Sequence, residues 1–357
     1  MDKLEKQELN SVIDSGWFTE SVKTRKFEKM FAEFTGSKYA CAVTSGTAGL
    51  YLGLLALDIK YKDEVIVPDL TFVASPNSVI ATGGRVVLCD IEKRTLNLDI
   101  ERLEKKITKK TKAIMTVNFN GRTTNMKLLK EISEKYDLKL IEDAAHSLGS
   151  YYEKKHQGTI SDLGVFSFST PKIITTGQGG MITTNNKKLF ERCCELKDFG
   201  RKIGMKKTMK RSFEHDTIGY NFKFTEFQAA LGISQMKKLP KRIQIKKNMF
   251  KRYRELLENV KGIEFVETDL KKITPWMIDI IMNSKKEKNK LIDYLRGSNI
   301  QTRIFYPPIH KLKPYKTQNS KFVNSSSISD KGLWLPSSVT LQNKEIDMIC
   351  EKIKKSN

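Results

Sequence analysis

The sequence lacks a long apolar segment, a metal-binding motif and a phosphate loop of the Walker type. No run approaches the ~20 uncharged apolar residues of a transmembrane helix, and the charged N-terminus differs from a signal peptide. Five cysteines are scattered without CxxC spacing, which is typical of reduced thiols in a cytoplasmic protein. The four histidines form no HExxH motif, and no GxxxxGK[ST] occurs. We therefore expect no membrane span, no catalytic metal and a cytoplasmic location.

Acidic residues are few compared with basic ones. There are 41 Asp and Glu against 64 Lys and Arg, which gives a formal net charge of +23. Such an excess attracts nucleic acid or other anions. The basic residues are spread along the whole chain, so nucleic-acid binding is the weaker interpretation, and a smaller anionic ligand fits equally well.

Short apolar segments alternate with helical ones over residues 40 to 185. The predicted strands are 40–44, 64–68, 85–91, 112–119, 138–143, 164–169 and 180–185. Strands that are apolar on both faces and separated by helices predict an α/β fold with a mostly parallel sheet. A chain of 357 residues is longer than a single hydrophobic core usually serves. We therefore expect a large domain over 1–240 and a smaller C-terminal α/β domain over 241–357. The N-terminal segment is counted with the large domain, although the sequence also allows it to pack on the smaller one.

Ser45, Gly46, Thr47 and Ala48 lie between a predicted strand and a predicted helix. Backbone N–H groups at the start of a helix favour a bound phosphate. The same residues would also suit an ordinary helix cap, with Gly46 easing the turn. The motif alone leaves both interpretations open.

The apolar strand that ends at Glu142 and Asp143 carries a second signal. Ligands of open α/β sheets bind outside the carboxyl ends of strands, where a carboxylate can hold the protonated ring nitrogen of a cofactor. A plain helix cap is again the alternative.

Lys172 is isolated among hydroxyl, aromatic and glycine residues. No charged residue lies within nine positions before it or fourteen after it. An amine without solvent or charge compensation has a lowered pKa, which makes it a nucleophile for a carbonyl. Along the chain, a phosphate site is followed by a carboxylate and then by an isolated lysine. A pyridoxal phosphate (PLP) enzyme needs these three groups in this order.

The chain resembles the DegT/DnrJ/StrS-type sugar aminotransferases. These are fold type I PLP enzymes, like aspartate aminotransferase, and they act on nucleotide-linked keto sugars. The matching stretches are GWFTES (16–21), VTSGTAGLYLGLLAL (43–57), EVIVPDLTFVASPNSV (64–79), LKLIEDAAHSLGS (138–150), GVFSFSTPKIITTGQGGMITTN (164–185), GYNFKFTEFQAALGISQ (219–235) and RIFYPPIH (303–310).

The resemblance implies that Lys172 forms the Schiff base with the cofactor and that Asp143 pairs with the pyridinium nitrogen. Asn221 would reach the phosphate from the neighbouring subunit of a homodimer, and Trp17 and His310 would lie near the sugar nucleotide. The other implied cofactor contacts are Gly46, Thr47, Ala48 and Ser167 at the phosphate, Phe72 on the ring and His146 near the ring oxygen.

Three positions depart from the family pattern. Gln178 stands where Glu is usual, and Asn118 and Asn120 replace a His and Gly pattern, which puts substrate contacts transferred to that stretch in doubt. Relatives with His in place of the lysine act as dehydratases, so Lys172 favours transamination.

The resemblance implies transfer of the amino group of L-glutamate to a nucleotide-linked 4-keto-6-deoxyhexose, as in perosamine synthases. A 3-keto-sugar or aminocyclitol aminotransferase, a non-catalytic regulatory protein and a nucleic-acid-binding protein are the alternatives.

Overall fold

The computed structural model of the protein describes residues 1–203, 215–316 and 321–356. Its helices are α1 (Lys3–Ser15), α2 (Val22–Thr35), α3 (Gly46–Ala56), α4 (Ala74–Ala81), α5 (Ile100–Leu103), α6 (Met126–Lys135), α7 (Lys187–Lys197), α8 (Glu226–Leu257), α9 (Lys285–Gly297), α10 (Val323–Lys331) and α11 (Asn343–Ser356). Its strands are β1 (Tyr39–Val43), β2 (Glu64–Pro68), β3 (Arg85–Cys89), β4 (Thr111–Val117), β5 (Lys139–Asp143), β6 (Tyr151–Tyr152), β7 (Lys155–His156), β8 (Leu163–Ser167), β9 (Gly180–Thr184), β10 (Ile263–Phe265), β11 (Ile278–Met282), β12 (Arg303–Ile304) and β13 (Gly332–Leu335).

The first half of the chain forms a seven-stranded sheet in the order β1-β9-β8-β5-β4-β2-β3. The pairs β3–β2, β2–β4, β4–β5 and β5–β8 are parallel, whereas β9 runs antiparallel to both of its neighbours. The predicted mostly parallel α/β sheet is therefore confirmed. Because six strands share one direction, the segments that follow β1, β2, β4, β5 and β8 meet at one edge of the sheet.

Helix α3 lies unusually close to this sheet because two of its buried residues are glycines. A Cβ added at Gly49 would lie 2.7 Å from Val165 Cγ1, and one added at Gly53 would lie 3.0 Å from Ile141 Cδ1. Larger side chains at these positions would push the helix away from β5 and β8. The close packing holds the N-terminus of α3 against the end of β8.

The C-terminal part contains a four-stranded antiparallel sheet in the order β10-β11-β13-β12. Helices α8, α9 and α11 cover it, with an apolar core that includes Phe250, Ile280, Leu295 and Ile349.

Helix α8 is a single 32-residue helix that continues through Pro240 and past the predicted domain boundary. Helix α1 packs on the part of α8 that precedes this boundary, where Lys238 pairs with Glu5 at 2.6 Å. Among the described residues, no helix has both the length and the apolar character needed to cross a bilayer.

Two buried polar residues after β4 connect the two sheets. Asn120, which has a left-handed backbone (φ 54°), donates to the carbonyl of Met277 at 2.9 Å and accepts from its N–H at 2.7 Å. Asn tolerates that conformation better than most residues. Arg122 pairs with Asp279 on β11, and both are 1% exposed or less. These contacts fix the start of β11 relative to the large sheet.

Candidate active site

A cavity of about 270 Å³ opens at the carboxyl edge of the large sheet. Its wall includes seven of the residues predicted from the sequence, namely Gly46, Thr47, Phe72, Asp143, His146, Ser167 and Lys172. They come from the ends of different strands and from the first turn of α3, so the parallel topology brings them together. No single segment of the sequence could form this cavity.

One end of the cavity is built by the start of α3. Ser45 caps the helix, and its Oγ accepts from the N–H of Ala48 at 3.1 Å. The N–H groups of Gly46 and Thr47 belong to the first turn, where a helix has no carbonyl to bind them. A Cβ at Gly46 would lie 3.0 Å from Cβ of Ser167. The end therefore offers N–H groups and a hydroxyl to an anion such as phosphate.

The two carboxylates at the end of β5 point in different directions. Glu142 is fully buried away from the cavity and accepts from the N–H groups of Gly158 and Ile160 at 2.7 and 2.9 Å. Asp143 lines the cavity and accepts from Ser75 Oγ at 2.7 Å. Burial raises the pKa of Asp143, although Ser75, the Ala145 N–H and Lys172 oppose the increase. Asp143 is thus the carboxylate available to a ligand.

Lys172 occupies the opposite wall, with its Nζ 4.1 Å from the centroid of the Trp276 ring. Burial lowers the pKa of Lys172 to about 7; Asp143 opposes this decrease and Arg303 adds to it. A substantial fraction of the Lys172 side chains is therefore neutral near pH 7 and able to attack a carbonyl carbon.

His146 is buried beside the lysine. Its ring stacks on Trp276 with 3.9 Å between centroids, and its Nε2 lies 3.5 Å from the hydroxyl of Tyr306. Its Nδ1 has no hydrogen-bond partner among the described residues. Burial lowers the pKa of His146 well below its usual value, and nearby cations, Lys172 first, add to this. The ring is neutral, and Nδ1 is available to a ligand.

Three further residues of the cavity come from the C-terminal part, and the sequence reasoning did not single them out. They are Trp276, Arg303 and Tyr306. Arg303 and Tyr306 lie in the RIFYPPIH stretch, so a local signal was present. Trp276 is only the first residue of an apolar run, WMIDIIM (276–282). Their role depends on contacts across more than 100 residues, which no local pattern encodes.

Four predicted site residues do not line this cavity. Ala48 belongs to the first turn of α3, and its N–H is already bound to Ser45 Oγ. Asn221 is exposed and accepts from Lys223 Nζ at 2.7 Å. Trp17 is 56% exposed after the end of α1. His310 Nδ1 bonds Asp69 at 2.6 Å, which anchors its segment to the loop that follows β2.

The departures at Asn118 and Asn120 have structural explanations. Asn118 donates to Glu142 at 3.0 Å, and Asn120 holds Met277 beside Trp276. Both side chains are buried and support the cavity from outside.

The cavity fits pyridoxal phosphate. One end presents free N–H groups, Asp143 is buried without an ion-pair partner among the described residues, and His146 Nδ1 is unpaired. A partly neutral lysine completes the set. Each of these features matches one part of that cofactor: phosphate, ring nitrogen, ring oxygen and aldehyde.

Comparisons with known proteins agree with this geometry. The sequence profile of the DegT/DnrJ/EryC1/StrS aminotransferase family matches residues 1–354. The chain is 36% identical to GDP-perosamine synthase of Escherichia coli O157:H7 over 352 residues, covering 98% of this chain and 94% of that one. It is 33% identical to dTDP-3-amino-3,6-dideoxy-alpha-D-galactopyranose transaminase of Aneurinibacillus thermoaerophilus, with coverage of 98% and 94%.

A solved structure shares the whole fold. The Escherichia coli GDP-4-keto-6-deoxy-D-mannose-3-dehydratase with bound hydrated PLP superposes with a TM-score of 0.92 at 26% identity, covering 99% of this chain and 97% of that one. The chain belongs to the DegT/DnrJ/EryC1/StrS aminotransferase family, and its cofactor is pyridoxal phosphate.

Proposed function

We propose that the enzyme transfers the amino group of L-glutamate to the keto group of a nucleotide-linked 4-keto-6-deoxyhexose, as a GDP-perosamine synthase does. The main support is the convergence of Lys172, Asp143 and the first turn of α3 on one cavity. The acceptor is inferred from the 36% identity to a GDP-perosamine synthase over nearly the full length of both chains.

Different residues of the cavity would hold different parts of PLP. The N–H groups of Gly46 and Thr47, with the Ser167 hydroxyl, would hold the phosphate, and Ala48 would stabilise the same turn through its bond to Ser45. Phe72, which is 49% exposed at the cavity mouth, would cover one face of the ring. His146 would bond the ring oxygen through Nδ1.

Asp143 would hold a proton in place, and Lys172 would transfer one. The bound cofactor supplies an aldehyde that carries the amino group and a ring that withdraws electrons. The Asp143 carboxylate would keep a proton on the ring nitrogen. Lys172 Nζ, with its pKa of about 7, would carry a proton between the substrate carbon that bears the nitrogen and the cofactor carbon C4′. Trp276 and Tyr306 would exclude water.

We further propose a homodimer in the cytoplasm. Asn221, exposed and outside the cavity of its own chain, would reach the phosphate in the partner's site. Trp17 would contact the sugar nucleotide, and His310 would do so with its ring oriented by Asp69. The cytoplasmic location is supported by the five cysteines, which are all free thiols.

A 3-keto-sugar substrate is the second candidate, because the 33% identity to a dTDP-3-amino-sugar transaminase is nearly as high. The test is a panel of GDP-, UDP- and dTDP-linked keto sugars, incubated with the holoenzyme and L-glutamate and followed by mass spectrometry. We expect an amino sugar from the GDP-linked 4-keto-6-deoxyhexose. Product from a 3-keto sugar alone would select the second candidate. Absence of any product, together with no glutamate-dependent change in the cofactor spectrum, would refute both.

A further inference from the structure

A second cavity adjoins the active-site lysine. It has a volume of about 470 Å³ and is formed by the segments around 170–175, 301–303 and 334–339 together with α8. Pro171, Lys172, Trp276 and Arg303 line both cavities. The two cavities therefore adjoin each other at Lys172.

The second cavity is lined by cations and has no acidic residue in its described wall. Besides Lys172 and Arg303, its lining includes Arg242 and Lys246, which are one turn apart on α8. Neither Arg242 nor Lys246 forms an ion pair with a described carboxylate. The remaining polar lining consists of Ser, Thr and Gln side chains. Such a wall favours an anionic ligand.

Lys246 is the least expected of these residues. It is 3% exposed, and its Nζ donates to the carbonyl of Ser337 at 2.7 Å. Burial lowers the pKa of Lys246 to about 7. A buried ammonium without a counter-ion is costly, and a bound anion would remove that cost. Arg242 is already oriented by its bond to the Ile173 carbonyl at 2.8 Å, next to Lys172.

We propose that Arg242 and Lys246 bind the side-chain carboxylate of the amino-acid donor and so make the enzyme selective for a dicarboxylic amino acid. This inference rests on the proposed aminotransferase function. The donor's amino group must reach the site of Lys172, and the second cavity is the cationic space adjoining that site. A donor without a side-chain carboxylate would gain nothing from these two cations.

The test compares Lys246→Met and Arg242→Met with the wild-type holoenzyme in the first half-reaction. The measured quantity is kcat/KM for conversion of the aldehyde cofactor to its amine form, with L-glutamate and with L-alanine as donors. We expect kcat/KM for L-glutamate to fall at least about tenfold, as for one lost charge-assisted contact, and kcat/KM for L-alanine to change less than about twofold. Lys241→Met, which removes an exposed cation from the same helix, should change neither value.

Equal losses with both donors, or no loss with L-glutamate, would overturn the proposal. Titration calorimetry with succinate, which has two carboxylates and no amine, separates this result from failure of the proposed function. If wild type is not aminated by L-glutamate but binds succinate at least about tenfold more tightly than Lys246→Met, the donor assignment is wrong and the carboxylate site stands. Equal succinate affinity in the two proteins, or none in either, would overturn the site.

Discussion

The indole ring of Trp276 contacts both Lys172 and the residue before it. The ring centroid lies 4.1 Å from the lysine Nζ, and the indole Nε1 donates to the carbonyl of Pro171, the residue before the lysine, at 2.7 Å. The same ring also stacks on His146, with 3.9 Å between centroids. Because Asn120 fixes the neighbouring Met277, the position of the lysine depends on the packing between the two sheets.

Replacing Trp276 by Phe should slow catalysis while the fold remains. Phe keeps an aromatic face but loses the bond to Pro171, which is worth about 1 kcal/mol. If that amount is lost in the transition state, kcat falls roughly fivefold. Steady-state assays measure this effect. Trp334→Phe is the matched control, since the buried Nε1 of Trp334 has no partner among the described residues. Equal kcat values for the two variants would show that the Trp276 hydrogen bond does not position the lysine.

The rate at which apoenzyme bonds to PLP should depend on pH through Lys172. Only the neutral amine attacks, and its fraction rises as the pH passes the pKa of about 7. We expect the rate constant, followed by absorbance, to rise about tenfold between pH 6 and pH 8. Arg303→Gln should move the midpoint upwards, because Arg303 contributes to lowering this pKa. A midpoint near the ordinary lysine value of 10.5 would contradict the account.

Asp143→Asn should reduce turnover more than it reduces cofactor binding. The amide keeps the shape and can still accept the bond from Ser75, but it carries no charge to hold a proton on the ring nitrogen. We expect kcat to fall on the order of 10²-fold, as on removal of one preorganised electrostatic contact. Equilibrium dialysis would measure retention of the cofactor. If retention and kcat fall by the same factor, Asp143 is only an anchor.

Lys246→Met should stabilise the folded protein at neutral pH. The unfolded chain binds a proton at Lys246 below about 10.5, whereas the folded chain does so only below about 7, so stability falls as the pH drops between these values. This difference in pKa amounts to on the order of a few kcal/mol at pH 7, and loss of the bond to Ser337 offsets about 1 kcal/mol of it. Denaturant unfolding at pH 7 and pH 10 measures it. The gain should shrink at pH 10, and an equal gain at both values would contradict the linkage.

Local residue patterns predicted the strands. Which residues meet at the active site depends instead on the topology of the sheet. The apolar runs of β2, β4 and β5 were sufficient for strands because these segments are buried on both faces. The isolation of Lys172 in the sequence corresponds to its lowered pKa. The residue patterns alone did not separate Asp143 from Glu142, because alternation along a strand does not say which face meets a ligand; only the resemblance selected Asp143.

The residues from the C-terminal part could not be predicted in this way. Trp276 and Lys246 act on Lys172 and its surroundings only because the second sheet docks on the first. Lys246 in particular is one of many lysines in a basic chain, and nothing in its neighbours along the sequence indicates burial. Its environment follows from contacts between distant segments.

Borohydride reduction of the purified holoenzyme, followed by peptide mass spectrometry, tests the central claim most directly. Two described lysines, Lys172 and Lys246, have a pKa of about 7, so a lowered pKa alone does not identify the cofactor lysine. We expect the reduced cofactor to be attached to the peptide that carries Lys172. A label on Lys246 or on any other lysine, or no label after reconstitution with PLP, would contradict it.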